Sequence, residues 1–394
     1  MGKARAKAKK KTTGARAKRD KRRRAASEAM DTAIAPADMP AIDELHDVPA
    51  FAELPVSEDQ RTAFDAFIRQ DDASEHMELG CVVRLDRGFP LVVTKHDVFR
   101  AEHSVGFAKT RGGDAPLLPA VGDRVAVRRA PDHDMGVIEA VLPRTCTFER
   151  WRGHARGDRQ VLAANIDIVL VVQALGAGNV LLDRIARSLV LALDCGAKPV
   201  VVLTKADRCE KTELERDVSQ VKELVGNDVR LIATSSAAGT GIDEVRAAVP
   251  TGRCALILGE SGAGKSTLLN ALLGHEALAT GGVRERDDAG RHTTVARTMV
   301  SLAPDAGVIA DAPGLRSLPL VGHERGLARA FPEIVEASHA CRFGDCTHTH
   351  EPGCAVIAAA DAGEISQVRL DAFMALACEM RVSAQSLDPD IHLK

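Results

Sequence analysis

The run Gly259-Glu260-Ser261-Gly262-Ala263-Gly264-Lys265-Ser266, followed by Thr267, has the residue types and spacing of a loop that cradles phosphates. Glycines at the first and sixth positions let backbone N–H groups turn inward around the anion. A lysine supplies a point charge to the β- and γ-phosphates, and a serine hydroxyl can hold Mg²⁺. Context supports the reading. The apolar run Ala255–Leu258 predicts a strand before the loop, and Leu268, Leu269 and Leu272 share one face of a predicted helix, Lys265–Leu273, whose N-terminus adds its dipole to phosphate binding.

A phosphate loop does not choose between bases. Thr204-Lys205-Ala206-Asp207, at the end of a predicted strand, supplies a carboxylate that can accept from guanine N1–H and the exocyclic amine together. Adenine presents no such pair of donors. The Lys205 stem would lie over the base. A second strand end, Thr234-Ser235-Ser236, can offer a backbone amide to guanine O6. Asp311-Ala312-Pro313-Gly314 places a carboxylate for the Mg²⁺ shell and an amide, that of Gly314, able to sense a γ-phosphate. Gly290-Arg291-His292-Thr293-Thr294 offers Thr293 and Thr294, one of them a candidate ligand of Mg²⁺ and γ-phosphate. Loops of this kind are ordered by GTP and released on hydrolysis.

The order of these motifs is rotated. The base-reading loops precede Gly259 and the Asp311 loop comes last, which is a circular permutation made possible by joining chain ends at a surface. In this order the γ-phosphate sensor leads straight into a cysteine cluster, Cys341-x4-Cys346-x-His348-x5-Cys354. Three thiolates and one imidazole suit tetrahedral Zn²⁺ in a closed, structural site. His350 competes with His348 on composition, and His339 does so more weakly.

Elements must hold these groups in place. Residues 1–60, basic and then acidic, are expected to be largely disordered, with a short helix near Thr62–Ile68. Short strands at Cys81–Leu85, Leu91–Thr94, Val121–Arg129 and Gly136–Leu142 predict a small β-barrel of the OB type over residues 77–145. Its scarce aromatics, Phe89, Phe99 and Phe107, leave Arg84, Arg128 and Arg129 as the expected RNA-phosphate contacts. From 160 to 320, strands at Ile166–Val172, Pro199–Leu203, Val229–Ala233, Ala255–Leu258 and Val308–Ala310 alternate with helices. Near-continuous Val, Ile and Leu in them predicts a parallel sheet covered on both faces. Residues 321–394 should hold the zinc knuckle and a closing helix through Ile365, Val368, Ala372 and Leu376. The fold class is thus multidomain: a barrel, a permuted α/β GTPase and a zinc-binding helical module.

Charge is distributed unevenly. Residues 1–24 hold thirteen Lys or Arg against one acid, Asp20, although the chain as a whole has a net charge of −3. A basic arm on an acidic body predicts a polyanionic partner such as RNA. No apolar run is long enough to span a membrane and no secretory segment opens the chain, so a cytoplasmic protein is expected. Nine cysteines, an odd number with three clustered, fit reduced thiols and a metal. No association stripe appears, and a monomer is expected.

Taken together, these motifs resemble the RsgA (YjeQ/EngC) family of circularly permuted GTPases over roughly residues 77–380. The Gly290-to-Thr294 segment and the stretch His348 to Cys354, ending Glu-Pro-Gly-Cys, look specific to that family. The resemblance selects His348 over His350 as the zinc ligand. It implies a late assembly factor of the 30S subunit that contacts 16S rRNA and hydrolyses GTP under stimulation by that particle. It also implies the absence of the usual water-orienting glutamine: Leu315 stands there and cannot orient water, so His292 is the candidate for that task. Thr204 departs from the asparagine usual at its position, which predicts weaker guanine binding with base choice kept by Asp207. The competing reading is a nucleotide-gated rRNA-binding module with negligible turnover.

Overall fold

The computed structural model describes residues 40–70, 76–86, 89–104, 118–129, 135–152, 158–176, 178, 180–277, 296–312, 320 and 322–387. The basic arm, the Gly290–Thr294 segment, Gly314 and Leu315 lie outside them. Residues 1–45 and 46–394 form separate compact units. In the first, the described part is a short 3-10 turn at Ile42–Glu44.

In the larger unit, helix α1 (Glu58–Gln70) contains the expected Thr62–Ile68 segment and precedes five strands: β1 (Met77–Asp86), β2 (Phe89–Thr94), β3 (Val98–His103), β4 (Arg124–Arg128) and β5 (Gly136–Val141). They pair in the circuit β1-β2-β3-β5-β4 and back to β1, a closed barrel. Closure removes both sheet edges. Alternate residues fill the interior: Val82, Val92, Phe99, Ala101, Val125, Val127 and Ile138. Strand β4 is shorter than the expected Val121–Arg129, because Gly122 and Asp123 form the turn that enters it.

A hairpin, β6 (Thr147–Arg152) and β7 (Asp158–Ala164), follows. Its charged sequence gave no apolar alternation to read. Then come β8 (Ile168–Ala174), α2 (Leu182–Asp194), β9 (Lys198–Thr204), α3 (Lys211–Val225), β10 (Arg230–Ala233), α4 (Ile242–Ala248), β11 (Cys254–Leu258), α5 (Lys265–Leu273), β12 (Arg297–Ser301) and β13 (Val308–Asp311). The sheet order is β10-β9-β8-β11-β13-β12, parallel except for β12. Ile168, Leu170 and Val172 on one face join Leu268, Leu269 and Leu272 of α5 in the core, as expected of strands buried on both sides.

Strand β12 joins the two sheets. It pairs antiparallel with β13 on one edge and with β1 of the barrel on the other, at Arg84↔Thr298 and Leu85↔Arg297. One eleven-stranded sheet results. Helices α6 (Glu324–Ala330), α7 (Pro332–Ser338), α8 (Ala355–Asp361) and α9 (Gln367–Leu387) complete the described chain. Helices α6 and α9 pack on α2, α9 also on α3, and α7 packs against α6 and α8. Asp194 at the end of α2 accepts from Gly326 N–H at 3.0 Å and meets His323 at 2.9 Å. Arg187 pairs with Glu379.

Residues 46–60 carry more order than their composition implies. Ser301 N–H donates to Asp47 O at 2.8 Å, tying this segment to β12. Further along, Pro55 O receives the fully buried Arg124 guanidinium through Nε at 2.9 Å and Nη2 at 2.5 Å. Its Nη1 donates to Gly122 O at 2.6 Å and to Cys81 Sγ at 3.1 Å, and Cys254 at the start of β11 also hydrogen-bonds it. One side chain thus joins the 46–60 segment, the barrel and the nucleotide sheet. Arg124→Met should lower the midpoint of urea unfolding by the equivalent of about 2–4 kcal/mol, because it strands buried carbonyls. Arg124→Lys should recover only part of that, having no planar fork to span the same acceptors. An unchanged midpoint for Arg124→Met would show the node to be dispensable.

Candidate functional site

Four strand ends converge on one edge of the sheet: β11 runs into Gly259, β9 ends in Thr204, β10 leads to Thr234, and β13 ends in Asp311. The carboxyl edge of a parallel sheet is where α/β folds bind ligands. The phosphate loop crosses it tightly. A Cβ on Gly259 would stand 2.4 Å from Val172 O, so only glycine allows β11 to leave so close to β8. Gly264 caps α5 at φ 86°, a left-handed conformation that suits glycine. Lys265 turns back over the loop, its Nζ donating to Gly259 O and Glu260 O, both at 2.8 Å. Ser266 and Thr267 follow in the first turn of α5, and Ser261 and Gly262 lie in the turn between. The Glu260 carboxylate pairs with Arg184 of α2, so its side chain is committed to that helix.

The base-reading loop is bound to the phosphate loop. Buried Thr204 donates its hydroxyl to Ala263 O at 2.6 Å, and Lys205, at φ 61°, donates Nζ to Gly262 O at 2.6 Å. The hydroxyl that replaces the usual asparagine therefore keeps a tie to the phosphate loop. Ala206 N–H donates to Thr234 O at 3.0 Å, which joins the two base-reading loops. Asp207 stays exposed. The Ser235 hydroxyl hydrogen-bonds it and holds its carboxyl below the usual range. The Ser235 amide is spent on Thr240 O at 3.0 Å, leaving Ser236 as the residue of that triplet whose amide meets no acceptor among the described residues.

Thr204, Lys205, Asp207, Ser235 and the phosphate loop are thus brought together, with Asp311 at the neighbouring strand end. His292, Thr293, Thr294 and Gly314 fall outside the described residues. The sequence offered no signal for Arg184 or for the side-chain role of Ser235, since each depends on a contact between distant segments.

The barrel arginines expected to contact RNA each pair with a carboxylate: Arg84 with Asp86 at 2.8 Å, Arg128 with Glu139 at 2.7 Å, and Arg129 with Asp97. Phe99 is only 3% exposed and fills the barrel, so it offers no stacking face. Phe107 lies outside the described residues.

In the C-terminal region, Cys341, Cys346, His348 and Cys354 offer ligand atoms all within 4.8 Å of one another. Cys341 Sγ lies 3.9 Å from Cys354 Sγ, and His348 Nδ1 is 3.7 and 3.5 Å from them. A tetrahedral zinc with ordinary bond lengths would set these separations near ~3.8 Å for S···S and ~3.6 Å for S···N. The donor set fits the metal in type and spacing. His348 takes φ 58°, a strained conformation for a non-glycine residue that aims its ring at the thiols. His350 is exposed and bonds Thr349 instead. Cys354 caps α8 and accepts from Ile357 N–H at 3.5 Å. Glu351 gathers the Thr347 hydroxyl and the amides of Thr347, Thr349 and His350, which fix the loop and hold its carboxyl far below the usual range.

Comparison with known proteins follows the same outline. A family model described as RsgA GTPase matches residues 141–321. The small ribosomal subunit biogenesis GTPase RsgA of Streptomyces avermitilis is 42% identical over 303 residues, covering 77% of this chain and 80% of that protein. Its namesake in Methanosarcina acetivorans is 37% identical over 276 residues, 70% and 73% of the two chains. Among solved structures, YjeQ from Thermotoga maritima superposes with a TM-score of 0.58 at 25% identity, over 77% of this chain and 99% of that one. YloQ, described as a circularly permuted GTPase, gives 0.56 at 24% identity, over 78% and 96%, and supports the fold.

Proposed function

The chain belongs to the RsgA GTPase family, and on that premise we propose that it hydrolyses GTP to GDP and phosphate during late maturation of the 30S ribosomal subunit, stimulated by that particle. The observation that carries this reading is the joining of the base-reading and phosphate loops. Thr204 and Lys205 are anchored on Ala263 and Gly262, while Asp207 remains open beside Ser235.

In this reading guanine N1–H and its amine donate to Asp207, the Lys205 stem covers the ring, and the Ser236 amide reaches O6. Loop amides from Gly259 to Gly264 and Lys265 Nζ take the β- and γ-phosphates. Ser266 and Asp311 would hold Mg²⁺, which neutralises charge developing on the phosphates. Thr293 or Thr294 and the Gly314 amide close on the γ-phosphate. Leu315 orients no water, so His292, assisted by the ribosomal particle, positions the nucleophile. The four zinc ligands would keep the knuckle folded, with no open position for catalysis.

The rRNA contact we assign to the knuckle and the basic arm. Phe343 is 41% exposed, and the Arg342 guanidinium lies 5.4 Å from its ring centroid. An exposed ring with a cation beside it suits stacking of an unpaired base in 16S rRNA. Among the described residues no helix is long and apolar enough to cross a membrane. We read the chain as a cytoplasmic monomer of barrel (77–145), permuted GTPase (160–320) and zinc module (321–394), an organisation consistent with this function.

The test is GTP hydrolysis with and without purified 30S subunits. Stimulation on the order of 10² or more is expected, the scale that positioning of a proton-transfer group supplies. Phe343→Ala should raise the 30S concentration needed for half-stimulation while leaving unstimulated turnover unchanged. Binding of GTP without any stimulation would support the nucleotide-gated module instead.

A further inference from the structure

The amino-terminal edge of the same sheet, about 20 Å from the nucleotide loops at the length of a seven-residue strand, carries a second cavity, of ≈ 610 Å³. Its floor follows from register. Ile168 lies opposite Lys198, and Val200 opposite Arg230, so Ile168, Lys198, Val200 and Arg230 share one face of β8, β9 and β10. All four line the cavity, with Pro250 on the wall.

Its charge is unbalanced. The carboxylate at the cavity, Asp167, already binds Arg253 at 2.9 Å and the Cys254 N–H at 2.8 Å. Lys198 and Arg230 are both exposed and meet no carboxylate among the described residues. Two like charges on one face of neighbouring strands repel. Both cations stand at the mouth of the cavity, exposed beside its apolar lining.

We propose that this cavity is a second ligand site, distinct from the GTP site, for a phosphate ester of nucleotide size. Lys198 and Arg230 hold the phosphate, and the exposed Ala247 and Pro250, with half-buried Ala248, face the sugar and base. The volume falls within the range of small-molecule pockets. The same chemistry is presented by a free mononucleotide and by one nucleotide of an RNA strand.

The experiment uses the full chain saturated with GDP and Mg²⁺, so that the guanine site is closed. AMP, which Asp207 does not read, and a hexameric oligoadenylate are titrated separately by calorimetry, against wild type and the double variant Lys198→Ala/Arg230→Ala. Saturable binding of AMP identifies a free nucleotide as a sufficient ligand; binding of the oligomer alone identifies an RNA segment. In either case the double variant should bind at least about tenfold more weakly, as expected on losing charge-assisted hydrogen bonds, with GDP affinity unchanged. The proposal is overturned if neither probe saturates, or if the double variant binds both as wild type does; in the latter case any oligomer binding belongs elsewhere, such as the basic arm. Failure here would leave the 30S-stimulated hydrolysis untouched, since the two assays address opposite ends of the sheet.

Discussion

Asp207→Asn should reduce GTP affinity by about 10²–10³-fold while leaving the fold and the phosphate loop intact. An ionised carboxylate accepts from both guanine N–H groups, whereas an asparagine amide oriented to accept from one turns a donor toward the other. A site built to pair specific donors rejects a mismatch strongly, because buried polar groups are left without partners. The exposed position of Asp207 and its hydrogen bond from Ser235 mean that the substitution disturbs no packing. Xanthine, which carries a carbonyl where guanine has its amine, should be favoured by the variant. Competition of GTP and XTP against a fluorescent GDP analogue measures both effects. Undiminished guanine preference in the variant would remove Asp207 from base reading.

Zinc removal should produce the second large effect, confined to the C-terminal region. The free energy of structural zinc binding, roughly 10–16 kcal/mol for small knuckles, is folding free energy. Here the metal would hold His348 in its left-handed conformation, and the His348 ring lies 6.4 Å from that of Phe373. Phe373 in turn packs edge-on against Phe331 at 5.8 Å, and Arg369 covers Phe331 while bonding Leu224 O of α3. Chelation or Cys354→Ser should therefore strip hydrogen-exchange protection from residues 341–361 and loosen the contacts of α9 on α3. Zinc content should fall from one equivalent to none, and 30S stimulation should be lost. GDP affinity should change by less than about twofold, since the phosphate loop lies in a different part of the core. Native protection in a zinc-free protein would mean that the four ligands are held by packing alone.

Much of the chemistry was legible because it is local. The loop Gly259–Ser266 announces itself through glycine spacing and a following amphipathic helix. Strands β8, β9 and β11 announce themselves as short Val, Ile and Leu runs. The cysteine spacing identified the ligand set, and the resemblance chose His348, which the left-handed backbone at that residue explains in physical terms. The hairpin β6–β7 and strand β12 were not legible. Arg297-Thr298-Met299-Val300-Ser301 has only two buried residues, and its place depends on two neighbours far away in sequence. Arg128 and Arg129 read as free cations because their partners Glu139 and Asp97 come from neighbouring strands and turns, whereas Asp86, which pairs with Arg84, lies two residues away on the same strand.

The sequence by itself determined the reaction class and the guanine nucleotide, and it picked out the Cys3His cluster that the structure gathers, since each rests on a few residues with fixed spacing and chemistry. Its rotated motif order also suggested one line of communication, from the Asp311 loop into the zinc module. Only the tertiary structure decided the connections. The strand that emerges from the Gly290–Thr294 side is zipped to β1 of the barrel, Arg184 ties α2 to the phosphate loop, and Asp194 and Arg187 tie the same helix to α6 and α9. The Ser235 hydroxyl hydrogen-bonds Asp207 from another strand end, and register places Lys198 and Arg230 on the same face of the neighbouring strands β9 and β10. Spacing along the chain encodes helical and strand periodicity within a few residues; which distant faces then meet is set by sheet register and by burial of a shared core.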